Sequence, residues 1–156
     1  MVTQTKQREK ALEDLKISAM LTLPLSFIIA FILFSAPCLL KDKICNPAPF
    51  FSAYALGFVV GYLISDKILH MSDWILDENK EPVMAKGKKG IQFALISIVV
   101  GYVIGILNAY SYACIMGLSY TWFDILCGWG VIVGGAGYSG FFGGWAFKTQ
   151  KIISSI

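Results

Sequence analysis

The sequence predicts an all-α integral membrane protein, in which four transmembrane helices form a compact, glycine-packed bundle and both termini lie in the cytoplasm. The first observation behind this prediction is composition: 56% of the 156 residues are hydrophobic and 15% are charged, whereas soluble domains average about 25% charged residues. The second is that four stretches are apolar over a length close to the roughly 17–25 residues that a helix needs to cross a bilayer. The third is a one-sided distribution of lysine and arginine. The length fits a single domain.

The predicted segments follow from the apolar windows and their polar flanks. A cytoplasmic lead-in helix precedes a transmembrane domain of four spans, and a cytoplasmic tail follows it. In order, the lead-in covers residues 1–16, the transmembrane domain residues 17–147 with spans at about 17–36, 50–65, 91–107 and 122–147, and the tail residues 148–156.

The basic residues predict the orientation. Of the 13 lysines and arginines, 11 lie in the N-terminal segment, between spans two and three, or at the C-terminus, and the loop at 108–120 has none. Because lysine and arginine collect on the cytoplasmic side of a membrane, both termini are predicted inside, in a multi-pass protein of the cell inner membrane. Span one is long for a cleaved signal peptide and is interpreted as an uncleaved anchor. No basic patch has nucleic-acid spacing, so no nucleic-acid partner is expected.

The lead-in and span one have few distinguishing features. Residues 3–16 are polar and helix-favouring, with a narrow apolar stripe, so this helix lies on the membrane surface or is a solvated lead-in; the small stripe favours the second. Pro24 predicts a kink, which membrane helices tolerate when neighbours satisfy the freed carbonyl, and Pro37 ends the span. Span one shows no strip of small residues and is expected at the periphery.

Span two carries the most regular packing signal. Ala53, Gly57, Gly61 and Ser65 recur at every fourth position and share one helical face. Small residues at this spacing let another backbone approach closely. After the span, the chain is expected to bend onto the membrane surface, with Trp74 at headgroup level.

Spans three and four repeat the theme. Span three has Gly101 and Gly105, again four positions apart. Span four contains eight of the 15 glycines; each is unfavourable by roughly 1 kcal/mol in a helix in water, but an apolar stretch of this length is forced into a helix in lipid. The remaining predicted contact positions in span four are Gly130, Gly134, Gly140 and Gly144. The alternative for this span is a glycine-lined pore.

The four cysteines are predicted to cluster on the outer face. Cys38, Cys45 and Cys114 fall in outer loops, and Cys127 lies about one turn into span four. A disulfide between Cys38 and Cys45 is the preferred pairing, although four cysteines allow three connectivities. This layout resembles the membrane oxidases that pass electrons from periplasmic thiols to quinone, which implies thiol–disulfide exchange. Those oxidases use a Cys-x-x-Cys pair that this chain lacks, so no residue roles are carried over.

Two polar residues remain as site candidates. Asp124 is the one acid within a span, and intramembrane acids are functional candidates by default; it also complements the N-terminal dipole of span four, which makes a structural role the favoured interpretation. His70 lies near Asp66 and Asp73 in the inner loop, but a lone histidine with two exposed acids lacks the three or four converging ligands of a tight metal site. Neither a metal nor a cofactor is expected.

Three function classes follow. The favoured class is a small interaction protein, either an accessory subunit of a larger membrane complex or an inhibitor, immunity or exclusion-type protein acting through helix contacts. The second is a homo-oligomeric pore or holin-like channel lined by span four, with Tyr138 and Ser139, and the third is a periplasm-facing thiol oxidoreductase. The central parts of the spans contain no Lys, Arg, His, Asp or Glu, which disfavours ion-coupled carriers. The chain is predicted not to be an enzyme, with membrane lipids and another membrane protein or itself as partners.

Overall fold

The computed structural model describes residues 2–39, 46–79 and 87–155, and every element within those ranges is helical. A stretch of π-helix, Asp124–Trp129, runs directly into the last α-helix. The α-helices are α1 Val2–Leu39, α2 Ala48–Leu69, α3 Met71–Leu76, α4 Gly87–Ile115 and α5 Gly130–Ser154. The prediction of an all-α chain is therefore confirmed for the described residues.

Four helices are long and apolar enough to cross a membrane: α1, α2, α4 and the continuous helix from Asp124 to Ser154. Each overlaps one predicted span, so the predicted number of candidate spans is confirmed and the chain has the architecture of a multi-pass membrane protein. The helices exceed the predicted windows because their polar ends continue the same helix. At 1.5 Å per residue, the 38 residues of α1 extend about 57 Å, nearly twice the thickness of a hydrocarbon core.

Helix α5 is the centre of the bundle. Helices α1, α2 and α4 all pack against it, whereas α1 and α2 make little contact with each other. Where α1 and α2 do meet, aromatic rings fill the space: the ring centroids of Phe34 and Phe50 lie 5.5 Å apart, and those of Phe27 and Tyr54 lie 5.7 Å apart. Because the other three long helices all pack against it, α5 is the most buried of the four.

Helix α3 folds back against the bundle after a tight reversal at His70, whose φ of 50° places it in the left-handed region. The Asp66 carboxylate fixes this turn by accepting hydrogen bonds from the backbone N–H of Ser72 at 2.7 Å and from its hydroxyl. Trp74 is only 4% exposed. The apolar side of α3 therefore packs onto protein, and the position of Trp74 at headgroup level stays a prediction.

The lead-in segment closes over α3. Arg8 donates hydrogen bonds to the carbonyl oxygens of Ile75 at 2.7 Å and Trp74 at 3.4 Å. These are terminal carbonyls of α3, which have no partner within the helix, and a cation also suits the negative end of the helix dipole. Leu15 of α1 joins Ile75 and Ile152 in the same apolar core, so the polar lead-in is part of the packed structure.

Candidate functional site

The small residues of α2 face the backbone of α5. A Cβ added at Gly57 would overlap the carbonyl oxygen of Gly137, and one added at Gly61 would overlap the carbonyl oxygen of Phe141. Ala53, one turn before Gly57, is fully buried. At Gly57 and Gly61 the two backbones approach too closely for any side chain larger than hydrogen.

Two glycines near the middle of α5 in turn face α2. A Cβ at Gly140 would overlap the carbonyl oxygen of Tyr54, and one at Gly144 would overlap that of Phe58. Because residues four apart share a helical face, both glycines point at the same helix. The close approach between α2 and α5 is therefore reciprocal.

The first half of α5 faces α4. A Cβ at Gly101 would lie 2.7 Å from the backbone nitrogen of Tyr138. A Cβ at Gly105 would overlap the backbone nitrogen of Gly134 and lie 2.5 Å from the carbonyl oxygen of Gly130. Residues from all three predicted strips thus meet on α5, where the glycines of α4 contact Gly130, Gly134 and Tyr138 and those of α2 contact Gly137 and Phe141.

Gly137 is a contact residue that the four-residue spacing does not reveal. Its backbone lies under Gly57 of α2, and a Cβ on it would lie 3.0 Å from the carbonyl oxygen of Gly101 on α4. It follows Gly134 by three positions and precedes Gly140 by three, and residues three apart also share a face. The signal was present in the sequence at this alternative spacing.

Gly130 serves the π-helical turn as well as the contact with α4. Its backbone N–H donates to the carbonyl oxygen of Ile125, five residues earlier. A Cβ at Gly130 would overlap that same oxygen. Single π turns inside helices are rare, and here glycine leaves the space that the wide turn requires.

Asp124 lies at the start of this π-helical stretch and is exposed. Its carboxylate accepts hydrogen bonds from the backbone N–H of Thr121 at 3.2 Å and from the Thr121 hydroxyl at 2.9 Å, while its own backbone N–H donates to that hydroxyl oxygen at 3.2 Å. This reciprocal pattern is a capping box, which satisfies two otherwise unpaired donors at a helix start. The arrangement engages the carboxylate locally.

Helix α1 carries a strip of small residues that the sequence pattern did not indicate. Ala19, Ser26 and Ala30 are buried, and the Ser26 hydroxyl lies 2.9 Å from the hydroxyl oxygen of Tyr54 on α2. Gly143 of α5 makes room for both, since a Cβ there would lie 2.8 Å from the Ser26 oxygen. The strip contains no glycine and its spacings are seven and four, so it lacked the signature seen in α2.

Helices α1 and α4 make little contact with each other, and α5 is open to the outside along a groove beside α4. The groove has a volume of about 210 Å³ and an almost wholly apolar lining. Its residues are Ile98 and Tyr102 of α4 and Val131, Gly134, Gly135 and Tyr138 of α5. The Tyr102 hydroxyl donates to the carbonyl oxygen of Leu126 at 2.7 Å, which fixes one wall.

Two of the four cysteines are exposed, whereas Ser139 of the proposed pore lining is buried. Among the described side chains, Cys114 and Cys127 are both exposed free thiols. Of the predicted pair Cys38 and Cys45, Cys45 lies outside the described residues. Ser139 is buried and donates to the carbonyl oxygen of Gly135 at 2.8 Å.

His70 serves the chain reversal between α2 and α3 and approaches one acid, Asp73, at 3.8 Å. Within the described ranges, no three histidine, cysteine, aspartate or glutamate side chains gather as a metal-binding group.

A comparison of the chain with protein-family models, with curated proteins and with solved structures finds no match.

Proposed function

We propose that the chain is a small polytopic interaction protein of the cell inner membrane, with both termini cytoplasmic. It is either an accessory subunit of a larger membrane complex or an inhibitor, immunity or exclusion-type protein, and it acts through helix–helix contacts. The observation that carries this proposal is the apolar groove beside α4, where the central helix α5 is left open to the outside.

The glycine contacts support a rigid interior. The close approaches of α2 and α4 to α5 involve backbone atoms, which cannot rearrange without moving whole helices. Without a hydrophobic driving force between helices in lipid, such close van der Waals packing is a main source of association. The bundle is therefore proposed to be glycine-packed and to present its groove as a preformed surface.

A single transmembrane helix of a partner protein is the proposed occupant of the groove. Gly134 and Gly135 line the groove without adding side chains to it. Their Cβ positions face Tyr102 of α4 and Leu33 of α1, so the incoming helix is proposed to lie over the outer edge of these two glycines, between α4 and Val131. Tyr102 and Tyr138 flank these two glycines. The half-buried Tyr138 also brings a hydroxyl that can bond a polar group on the incoming helix.

The same contacts weigh against a pore lined by α5. Gly130, Gly140 and Gly144 are buried inside the chain, and the Ser139 hydroxyl already bonds a backbone carbonyl. To line a water-filled pore, these residues would have to leave their contacts with α2 and α4. A function that uses the outer surface of the bundle requires no such opening.

The test is a matched pair of groove-filling and control variants. Val131 lines the groove and is 53% exposed, whereas Val103 of α4 is 48% exposed and lies outside the groove lining. Val131→Trp and Val103→Trp therefore add the same bulk at equally accessible positions. Both variants and the wild type are purified from native membranes in gentle detergent, and all associated proteins are quantified by mass spectrometry.

We expect a stoichiometric foreign membrane protein with the wild type and Val103→Trp, and its loss with Val131→Trp at unchanged bundle stability. Retention of that partner by Val131→Trp would show that the groove is not its binding surface. A wild type that purifies as a homo-oligomer, and dissociates on Val131→Trp, would instead favour the homo-oligomeric pore.

A further inference from the structure

Two lysines on α5 converge on one tyrosine of α2. The ammonium nitrogens of Lys148 and Lys151 lie 4.7 Å and 5.8 Å from the centroid of the Tyr62 ring. Lys151 also donates a hydrogen bond of 3.1 Å to the Tyr62 hydroxyl oxygen. Cations are attracted to the electron-rich faces of aromatic rings, so Tyr62 gathers two positive charges that would otherwise separate.

No carboxylate neutralises these lysines in the part of the chain that the structure describes. The ion pair found there joins His70 to Asp73. Asp66, one turn beyond Tyr62 on α2, is instead engaged by the backbone N–H and hydroxyl of Ser72. Since two neighbouring ammonium groups repel each other, an anion placed between them is attracted by both.

The surroundings of the two lysines suit a lipid. The Phe147 ring lies 5.8 Å from that of Phe58 and 5.9 Å from that of Tyr62. Phe147 is 45% exposed, so an open apolar wall formed by Phe147 and Phe58 runs from the lysines toward the middle of the span. Tyrosine with adjacent lysines at the end of a span is typical of the membrane–water interface.

We propose that Tyr62, Lys148 and Lys151 bind the phosphate group of an anionic phospholipid, whose acyl chain lies along Phe58 and Phe147. The site is at the end of the bundle that the charge distribution predicts to be cytoplasmic, and it is independent of the groove. Each ammonium group offers up to three donors and no acceptor, and lysine binds phosphate as a point charge. A zwitterionic headgroup would add a third cation beside the two lysines, so it binds more weakly.

The test is native mass spectrometry of the full chain in detergent, with phosphatidylglycerol and phosphatidylcholine as probes. The wild type is expected to retain phosphatidylglycerol more tightly. Since each lysine near an anionic surface contributes a factor of about five, the double variant Lys148→Gln/Lys151→Gln should bind it about 30-fold more weakly. The control Lys88→Gln/Lys89→Gln removes the same charge from the first turn of α4 and should leave the affinity unchanged.

Competition with inorganic phosphate distinguishes a site for the phosphate group of a lipid from a site for free phosphate ions. A lipid site keeps phosphatidylglycerol in millimolar phosphate, whereas displacement would assign the site to free phosphate ions and overturn the lipid proposal. An equal loss of affinity in the α4 control would overturn it too. If the double variant does not fold, the wild-type comparison still decides, because equal affinity for the two lipids contradicts the proposal. Tyr62→Phe, which keeps the ring but frees Lys151, should then weaken phosphatidylglycerol binding, and unchanged affinity would contradict the site.

Discussion

A methyl group added at Gly57 is expected to push α2 away from α5. The new Cβ would overlap the carbonyl oxygen of Gly137 and lie 2.9 Å from its carbonyl carbon, whereas the optimum between two carbons is about 3.5–4.0 Å. The three nearest atoms all belong to the Gly137 backbone, so no side-chain rotation relieves the overlap. The helix axes therefore have to separate by more than about half an ångström.

The effect extends along the interface because Ala53 and Gly61 lie on the same face as Gly57. Overpacking a protein interior costs about 1–3 kcal/mol, and a gap of about 0.5–1 Å forfeits a quarter to a half of the dispersion attraction at each contact. We therefore expect Gly57→Ala to lower the free energy of unfolding by about 3 kcal/mol, at the upper end of that range. For a chain of this size the thermal midpoint should fall by about 6–12 °C.

Gly90→Ala is the matched control, because Gly90 is helical but a Cβ there would meet no atom within 4 Å. Alanine is better than glycine in a helix by about 1 kcal/mol, so this variant should equal or slightly exceed the wild type. Both variants are measured by equilibrium unfolding in mixed micelles and by thermal scans in the same detergent. A Gly57→Ala protein as stable as Gly90→Ala would refute the reasoning that backbone contact between α2 and α5 stabilises the bundle.

Three further predictions concern the Asp124 capping box, the Arg8 contact with α3 and the two exposed cysteines. Asp124→Ala removes the capping box and should lower the unfolding free energy by about 1 kcal/mol; loss of partner binding at unchanged stability would instead show a functional acid. Arg8→Gln should weaken α3 by about 1.5 kcal/mol and speed hydrogen exchange of its amides, while the exposed Lys10→Gln should not; equal exchange in both variants would contradict the Arg8 contact. Cys114 and Cys127 should react with maleimide without reductant in detergent, and Cys114 should also react from outside intact cells. Labelling of Cys114 only after lysis would contradict the predicted orientation.

The number of helices long and apolar enough to cross a membrane was predictable because length and apolar content are local properties of the chain. Their ends were less predictable, since a polar segment that continues a helix looks the same as one that begins a loop. Residues 108–115 illustrate this, because they were predicted to begin an outer loop while the structure joins them to α4. The side of the membrane on which each end lies stays a prediction from the lysine distribution.

The candidate contact residues were predictable only where small residues, mostly glycines, recur at every fourth position. The structure places Gly57 and Gly61 against α5, and the Gly57 variant measures whether that contact holds the bundle together. The α1 strip at Ala19, Ser26 and Ala30 escaped notice because alanine and serine are common in any apolar helix. Trp74 is buried in a core that also contains Leu15 and Ile152, which are distant in sequence, and no local pattern reports such a contact.

The central place of α5 has a consequence for how the bundle assembles. Of the four long helices, α5 is the last to leave the ribosome, yet it is the one that the other three pack against. Ser26 meets Gly143 from the opposite end of the chain, and contacts between residues so distant in sequence form late.

Until α5 inserts, α1 and α2 have few contacts with each other, and their small-residue faces are open to any other helix in the membrane. A chain interrupted before Thr121 would leave α1 without its main packing partner, and α2 and α4 with only their contacts with each other. The contacts that join all four long helices into one bundle therefore require α5.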